Sequence, residues 1–457
     1  MEIPLQAGRA GITVDSMILI WPDNTFERIP LKDTTLLSLW YRSGLAHFDY
    51  AQFRRSLQKS ITVSWRDSAA ASGLIFRHEE NPFVEFDREP LIPHMVSREG
   101  PALAVGDFNG DNREDVFVGS AKTFQPALFV QQPSGTFKQV VQPALTADSM
   151  FEEVDACWVD VNQDRRLDLV VASGGNEYYG NDVHLSPRVF INTPGDKLEL
   201  KADAFSGIYL TASCVLPFDF TGDGVADLFI GGRAVPWEYG EEPRSFLLAN
   251  DGQGKFQDVT AQYGKEVAQA GFVTGGQWVD LDQDHDMDLV LSTEWGPITA
   301  YFNEGGVFRK KELSVENGWW QFVQALDLDQ DGDMDLVAGN LGCNSRLQAS
   351  FDQPVRLYYN DFDGNGKKEQ VLTYYLQGKE IVFANKEELQ KQLPGLKKKF
   401  LYAADFARAG LRDLLDPSLL KKAKVWKADY FKSVVMLNNG SGQFEVKPLP
   451  WSAQLSP

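Results

Sequence analysis

The chain has 457 residues, 43% of them hydrophobic, and a formal net charge of −20. That acidity excludes a nucleic-acid binder, which needs a basic face, and no stretch is long and apolar enough to cross a membrane as a helix. Cys157, Cys214 and Cys343 are odd in number, far apart and without zinc spacing, so they read as buried free thiols.

In chain order, the opening MEIPLQAGRAG has neither the basic region nor the apolar core of a signal peptide. Residues 14–30, VDSMILIWPDNTFERIP, read as an antiparallel hairpin with Asn24 in its turn. Residues 43–75 read as a linker with a lead-in strand. From residue 76 a nine-residue acidic pattern takes over. It is DFNGDNRED at 107, DVNQDRRLD at 160, DFTGDGVAD at 219, DLDQDHDMD at 280, DLDQDGDMD at 327 and a weaker DFDGNGKKE at 361. The first five starts are 53, 59, 61 and 47 residues apart, a spacing that points to repeats of a supersecondary unit.

Alternate oxygens in so short a loop converge on one hard cation, and this many flexible carboxylates favour Ca2+ over Mg2+. Positions one, three, five and nine are the candidate ligands. They are Asp107, Asn109, Asp111 and Asp115; Asp160, Asn162, Asp164 and Asp168; Asp219, Thr221, Asp223 and Asp227. The later loops offer Asp280, Asp282, Asp284 and Asp288; Asp327, Asp329, Asp331 and Asp335; Asp361, Asp363, Asn365 and Glu369. Position seven of a calcium loop gives a backbone carbonyl, so Asp333 is not counted. Position six needs a left-handed residue: Gly332 suits it, Asn112 is the best of the others, and Arg165 is the poorest. The loop at 160 is therefore the weakest of the first five. Thr221 is a poor ligand, and the sixth loop follows the fifth by only 34 residues. It either opens a further blade or is an acidic turn inside the fifth.

Each loop leads into a short apolar run: VFVG, LVVAS, LFIGG, LVLS or LVAG. These are strands, where an EF-hand or dockerin would continue as a helix. Between loops, ALFVQQPSGTF, SFLLANDGQGKF, AYFNEGGVF and VVMLNNGSGQF each read as strand, turn and strand. Two hairpins per repeat make a four-stranded antiparallel blade, and radial blades make a propeller. Residues 385–427 differ. Leu389, Leu393, Leu396 and Phe400 recur at helical steps and DPSLLKK resembles a helix start, so two or three helices are expected. Lys397, Lys398 and Lys399 read as a solvated face. Trp237, Tyr239, Trp295, Trp319 and Trp320 read as packing between blades, with sugar stacking as the other use of such aromatics. His47, His78, His94, His184 and His285 form no recognisable triad.

These loops and strands resemble the FG-GAP or VCBS repeats of integrin-α-type propellers. More narrowly, ENPFVEFDREPLIPHMVSREGPALAVGDFNGD (80–111), GGRAVPWEYGEEPRSFLLANDGQGKF (231–256), GWWQFVQALDLDQDGDMDLVAGNLG (318–342) and YYLQGKEIVF (374–383) resemble the large bacterial VCBS-repeat proteins, common in Bacteroidota. Those proteins join such repeats to an ASPIC/UnbV domain and are related to cartilage acidic protein. The hairpin at 14–30 is similar to the closing strands of ASPIC/UnbV. The resemblance implies an all-β fold: an integrin-α-type β-propeller, seven-bladed when intact and incomplete here, with a small helical insertion. Its divisions are the end of an ASPIC/UnbV-like β domain at 1–42, the linker at 43–75, and the propeller at 76–457 with the helical insertion at 385–427.

The expected function is that of a calcium-binding extracellular or cell-surface scaffold for adhesion, with a protein or glycan ligand at the propeller rim and no catalysis. Such loops fill at about 10⁻⁴ to 10⁻³ M calcium in extracellular modules, so an export signal is expected upstream, in a longer polypeptide. The position of Phe444 supports this: the next loop would begin near 463–468, past the end of the chain. The six loops hold 22 carboxylates at odd positions, and six calcium ions would bring the charge to about −8. The alternative is a carbohydrate-active enzyme, polysaccharide lyase-like, on the same scaffold. It would draw on Glu177, Tyr178, Arg233, Glu238, Tyr239 and Glu294, provided that they converge on one pocket.

Overall fold

The computed structural model describes residues 16–30, 39–50, 67–314, 316–440 and 442–455. The chain divides into two compact units, Met1–Ser68 and Ala69–Pro457. In the first, Ser16–Ile20 pairs antiparallel with Phe26–Pro30. Asn24 takes a left-handed φ of 64° in the turn. Asp23 steadies that turn by accepting from the Thr25 hydroxyl and the Tyr41 hydroxyl, each at 2.7 Å. The lead-in strand expected within 43–75 falls largely on 51–66, outside the described residues, and Ala69–Ser72 is a short helix.

Among its described residues the second unit holds six antiparallel sheets. The first is Leu103–Gly106, Asp115–Val118, Ala127–Gln131 and Phe137–Val140, in sequence order. The second is Glu153–Val159, Asp168–Ser173, Arg188–Thr193 and Lys197–Leu200. The third is Thr211–Phe218, Asp227–Ala234, Phe246–Asn250 and Phe256–Asp258. The fourth is Phe272–Val279, Asp288–Gly296, Thr299–Asn303 and Phe308–Glu312, with Gly318–Trp319 added beside its second strand. The fifth begins with Phe322–Leu326 and Asp335–Gly339 but ends with Val434–Asn438 and Phe444–Pro448. The sixth, inserted into that gap, is Val355–Asn360, Glu369–Leu376, Lys379–Val382 and Lys424–Ala428.

The second strands of the second and third sheets are apolar runs because both of their faces are covered. Asp168–Ser173 and Asp227–Ala234 are buried at every residue. Separate cores fill the spaces between consecutive sheets, as Phe117 and Leu128 meet Leu169 and Phe190, and as Val290 and Ala300 meet Leu336 and Met436. The sixth sheet packs Val355, Leu357 and Leu372 against Tyr239, Phe272, Trp295 and Trp319.

The expected all-β, seven-bladed integrin-α-type propeller is corrected by this topology. The fold is mostly β with a few helices, and among the described residues no sheet closes into a barrel or propeller. Among the described residues strand pairing stays within sheets of four or five strands, and outer strands such as Phe137–Val140 pair on one side only. The sixth sheet interrupts the series, so strand order departs from sequence order there. The stretch read as two or three helices forms five short ones: Lys386–Gln392, Leu396–Lys399, Ala403–Arg408, Leu411–Leu414 and Pro417–Lys422. Leu389, Leu393, Leu396 and Phe400 are buried against Val371 as one core, although Pro394 and Gly395 break their helix in two. Asp416 caps the last helix by accepting from the Ser418 N–H at 2.7 Å.

Candidate metal centre

All six acidic loops occupy one place in the architecture: each joins the first strand of its sheet, in chain order, to the second. Position one follows the first strand directly, and position nine opens the second. The backbone folds the same way each time. Position six is left-handed throughout, at Asn112 (63°), Arg165 (68°), Gly224 (86°), His285 (74°), Gly332 (94°) and Gly366 (86°). So is position four, at Gly110, Gln163, Gly222, Gln283, Gln330 and Gly364. The sequence reading missed position four, although only Gly and Gln occur there. Arg165 adopts the same turn despite its side chain.

Hydrogen bonds assign a task to each acidic position. Position one caps the turn: Asp107 accepts from the Asn112 N–H at 2.7 Å, Asp160 from Arg165 at 2.7 Å and Asp219 from Gly224 at 2.8 Å. Asp280, Asp327 and Asp361 do the same with His285, Gly332 and Gly366. Position five accepts from the N–H of position seven, as from Val225 to Asp223 and from Lys367 to Asn365. Asp111, Asp164, Asp284 and Asp331 repeat this bond. In the first two loops an arginine at position seven, Arg113 or Arg166, also pairs its guanidinium with the position-five carboxylate.

Position nine is buried. Asp115, Asp168, Asp227, Asp288, Asp335 and Glu369 are at most 1% exposed. One oxygen accepts from a loop N–H, as from Leu281 to Asp288 at 3.0 Å. In the first five loops the other oxygen accepts from the third strand of the sheet, from Gln131, Asn192, Asn250, Asn303 or Asn438. Burial pushes Asp288 and Glu369 up to about 7 and Asp168 to about 6.

Three loops draw three carboxylates together, with one oxygen from each within 4.8 Å of the others. The groups are Asp280, Asp282 and Asp288; Asp327, Asp329 and Asp335; and Asp361, Asp363 and Glu369. These clusters could chelate a divalent cation. In the other three loops position three is Asn109, Asn162 or Thr221, so the third carboxylate is missing. The Asp282 Oδ1 is buried and has no hydrogen-bond partner. An all-oxygen set with an orphaned carboxylate oxygen fits a hard cation such as Ca2+.

The sequence reading also passed over Asn192, Asn250 and Asn438. Each Nδ2 donates to the position-eight carbonyl of its own loop and to the position-two carbonyl of the loop before it. Asn192 reaches Leu167 and Phe108, Asn250 reaches Ala226 and Val161, and Asn438 reaches Met334 and Leu281. The signal was present, since the third strand ends in FIN, LLAN or MLN.

Of the residues named for catalysis, Arg233 and Glu294 meet at 2.8 Å. Tyr239 lies beside them, fully buried, with its hydroxyl accepting from Trp295 Nε1 at 2.9 Å. His94 joins them, its Nε2 2.7 Å from Glu294. Glu177 and Tyr178 form a different cluster around Lys122, and Glu238 is exposed. Trp295, Trp319 and Trp320 are buried, whereas Trp237 is 41% exposed and lies against Tyr179 with the rings tilted by 30°. The three cysteines are free, and burial pushes the Cys214 thiol up to about 12.

Comparison with protein families matches an FG-GAP-like repeat at residues 107–171, 160–230 and 280–338. An FG-GAP-like repeat domain is present. The matched segments contain five of the six loops, and the sixth, at 361–369, lies beyond them. No curated protein matches the chain. Among solved structures, a putative exo-beta-1,3-galactanase from Bifidobacterium bifidum s17 aligns at 12% identity and a TM-score of 0.31, over 65% of this chain and 96% of that one. The V. cholerae biofilm matrix protein Bap1 aligns at 13% and 0.27, over 76% and 55%. Chaetomium thermophilum Raptor aligns at 12% and 0.29, over 64% and 21%. Likeness at this level carries no functional argument.

Proposed function

We propose that this chain is a calcium-stabilised binding scaffold that works outside the cell, presenting its loops to a protein or glycan ligand. The observation that carries the reading is the convergence of three carboxylates in each of three loops of one geometry. Like charges held this close repel, and a divalent cation removes that cost. Positions one, three and nine would hold the ion at 280–288, 327–335 and 361–369, with position five beside them. At 107–115, 160–168 and 219–227 the neutral residue at position three makes a weaker set. Calcium in the range of about 10⁻⁴ to 10⁻³ M, typical of extracellular modules, suits such exposed loops. No helix among the described residues is long and apolar enough to cross a membrane.

Catalysis is the weaker reading. Glu294 is locked between Arg233 and His94, and Tyr239 is 0% exposed, which suits packing better than proton transfer. The N-terminal hairpin is compatible with the end of an ASPIC/UnbV-like domain, and we keep that as part of the proposal.

The test is calorimetric titration of calcium into chelator-treated protein, with a melting curve at each end. The expected result is at least three equivalents bound and a rise in melting temperature. No binding and no shift at millimolar calcium would remove the calcium half of the reading.

A further inference from the structure

A cavity of about 340 Å³ opens beside the Arg233–Glu294 pair, with His94, Trp319, Gln321, Arg346, Leu347 and Phe383 on its wall. We propose that this cavity binds a carboxylate-bearing sugar residue. The proposal takes its context from the binding-scaffold reading, but it does not depend on the loops holding calcium.

Two side chains on the wall, Arg346 and Trp319, suit a charged ring. Arg346 is exposed and forms no ion pair among the described residues, so water solvates the guanidinium until a ligand displaces it. Its guanidinium is nevertheless held in place, donating to the Tyr374 hydroxyl at 2.8 Å and lying 4.7 Å from the Phe383 ring centroid. A guanidinium positioned by one bond keeps other N–H groups for a carboxylate, which it grips through two parallel bonds. Trp319 is 6% exposed, and its Nε1 is buried with no hydrogen-bond partner. That N–H is not at the cavity surface; what Trp319 offers a sugar ring is its aromatic side chain on the wall.

The remaining charges on the cavity are satisfied. Glu294 is paired with Arg233 and His94, and Glu99 with Arg233 at 2.8 Å. One unpaired cation matches one negative charge. Glu99 remains 30% exposed at its side chain, so the wall offers an acceptor as well as donors. Hydroxyl groups, which both donate and accept, suit such a mixed wall better than a bare oxyanion does. Trp319, Leu347 and Phe383 add an apolar side for the C–H face of a ring, and the volume suits a ligand of about one sugar unit.

The experiment is isothermal titration of D-glucuronate and of D-galacturonate into the calcium-supplemented full chain, with D-glucose and inorganic phosphate as comparators. One uronate is expected to saturate a single site at millimolar concentration, with glucose and phosphate at least about tenfold weaker. Arg346→Gln should weaken the uronate by about tenfold without changing the melting temperature or calcium stoichiometry, and Trp319→Phe should also weaken it. Absence of uronate binding at about 20 mM, phosphate binding as tightly as uronate, or Arg346→Gln binding as tightly as the parent would each overturn the proposal. Calcium uptake by the same sample reports separately on the loops, so the two readings fail independently.

Discussion

The carboxylate at position nine of each loop is buried like a core residue yet carries a ligand's oxygens. Asp288 holds the loop through Leu281 and the third strand through Asn303, one oxygen for each N–H. An amide there would turn an NH2 group toward a donor. Asp288→Asn should therefore cost about 1–3 kcal/mol even without calcium and remove one bound ion. Asp286→Asn, at exposed position seven, should stay within about 0.5 kcal/mol and leave the stoichiometry unchanged. Urea melts with and without calcium separate the two. Glu294 makes a second residue-scale case. Burial alone would raise its carboxyl, but the His94 imidazolium and Arg233 guanidinium outweigh that and hold it at about 2. Its contribution is thus present above its ordinary value of 4.5 and is lost as the pH falls from there toward 2. Glu294→Gln should cost about 1–3 kcal/mol at pH 7, because it removes one of the two carboxylates that pair the buried Arg233 and the one that pairs His94, and the gap to the parent should narrow below pH 4.5. A gap that does not change between pH 7 and pH 3 would contradict the pairing. At this scale the ligand spacing and the left-handed position six were legible from sequence, because both are local. Position four was marked only by its Gly or Gln, and Gln has no left-handed preference to signal the turn; the task of position five depends on where backbone N–H groups point, which side-chain pattern does not reveal.

Sheets in this fold are joined by more than their apolar cores. Asn250 links the loop of its own sheet to the loop of the preceding sheet through two carbonyls, the buried one of Val161 and the half-buried one of Ala226, at 3.0 Å each. Asn303 stands at the equivalent place and makes no such cross-sheet bond among the described residues. Asn250→Ala should destabilise by about 2–3 kcal/mol and Asn303→Ala by about 1 kcal/mol. Equal losses in chemical denaturation would show that the cross-sheet bonds contribute nothing. The hairpins themselves were readable in ALFVQQPSGTF and VVMLNNGSGQF, because turn chemistry and alternation act over a few residues. The sixth sheet was not readable. It separates Asp335–Gly339 from Val434–Asn438, which still pair, with Val337 opposite Val435. Nothing local to either strand records a partner so far along the chain.

The whole molecule carries its charge where the strands turn. The 22 carboxylates at odd loop positions explain most of the formal −20. Repeat spacing led to a radial, closed arrangement, yet closure is a property of how sheets meet and does not follow from how each is built. The described topology is a series of open sheets with one inserted. The central claim is that these loops are cation sites, graded by the residue at position three. Anomalous scattering from crystals grown with calcium tests it most directly. The account predicts peaks among the carboxylates of Asp280, Asp282 and Asp288, of Asp327, Asp329 and Asp335, and of Asp361, Asp363 and Glu369. Weaker peaks or none are expected at the loops that begin at Asp107, Asp160 and Asp219. A map with no peak at any of the three carboxylate clusters, in crystals holding millimolar calcium, would contradict it.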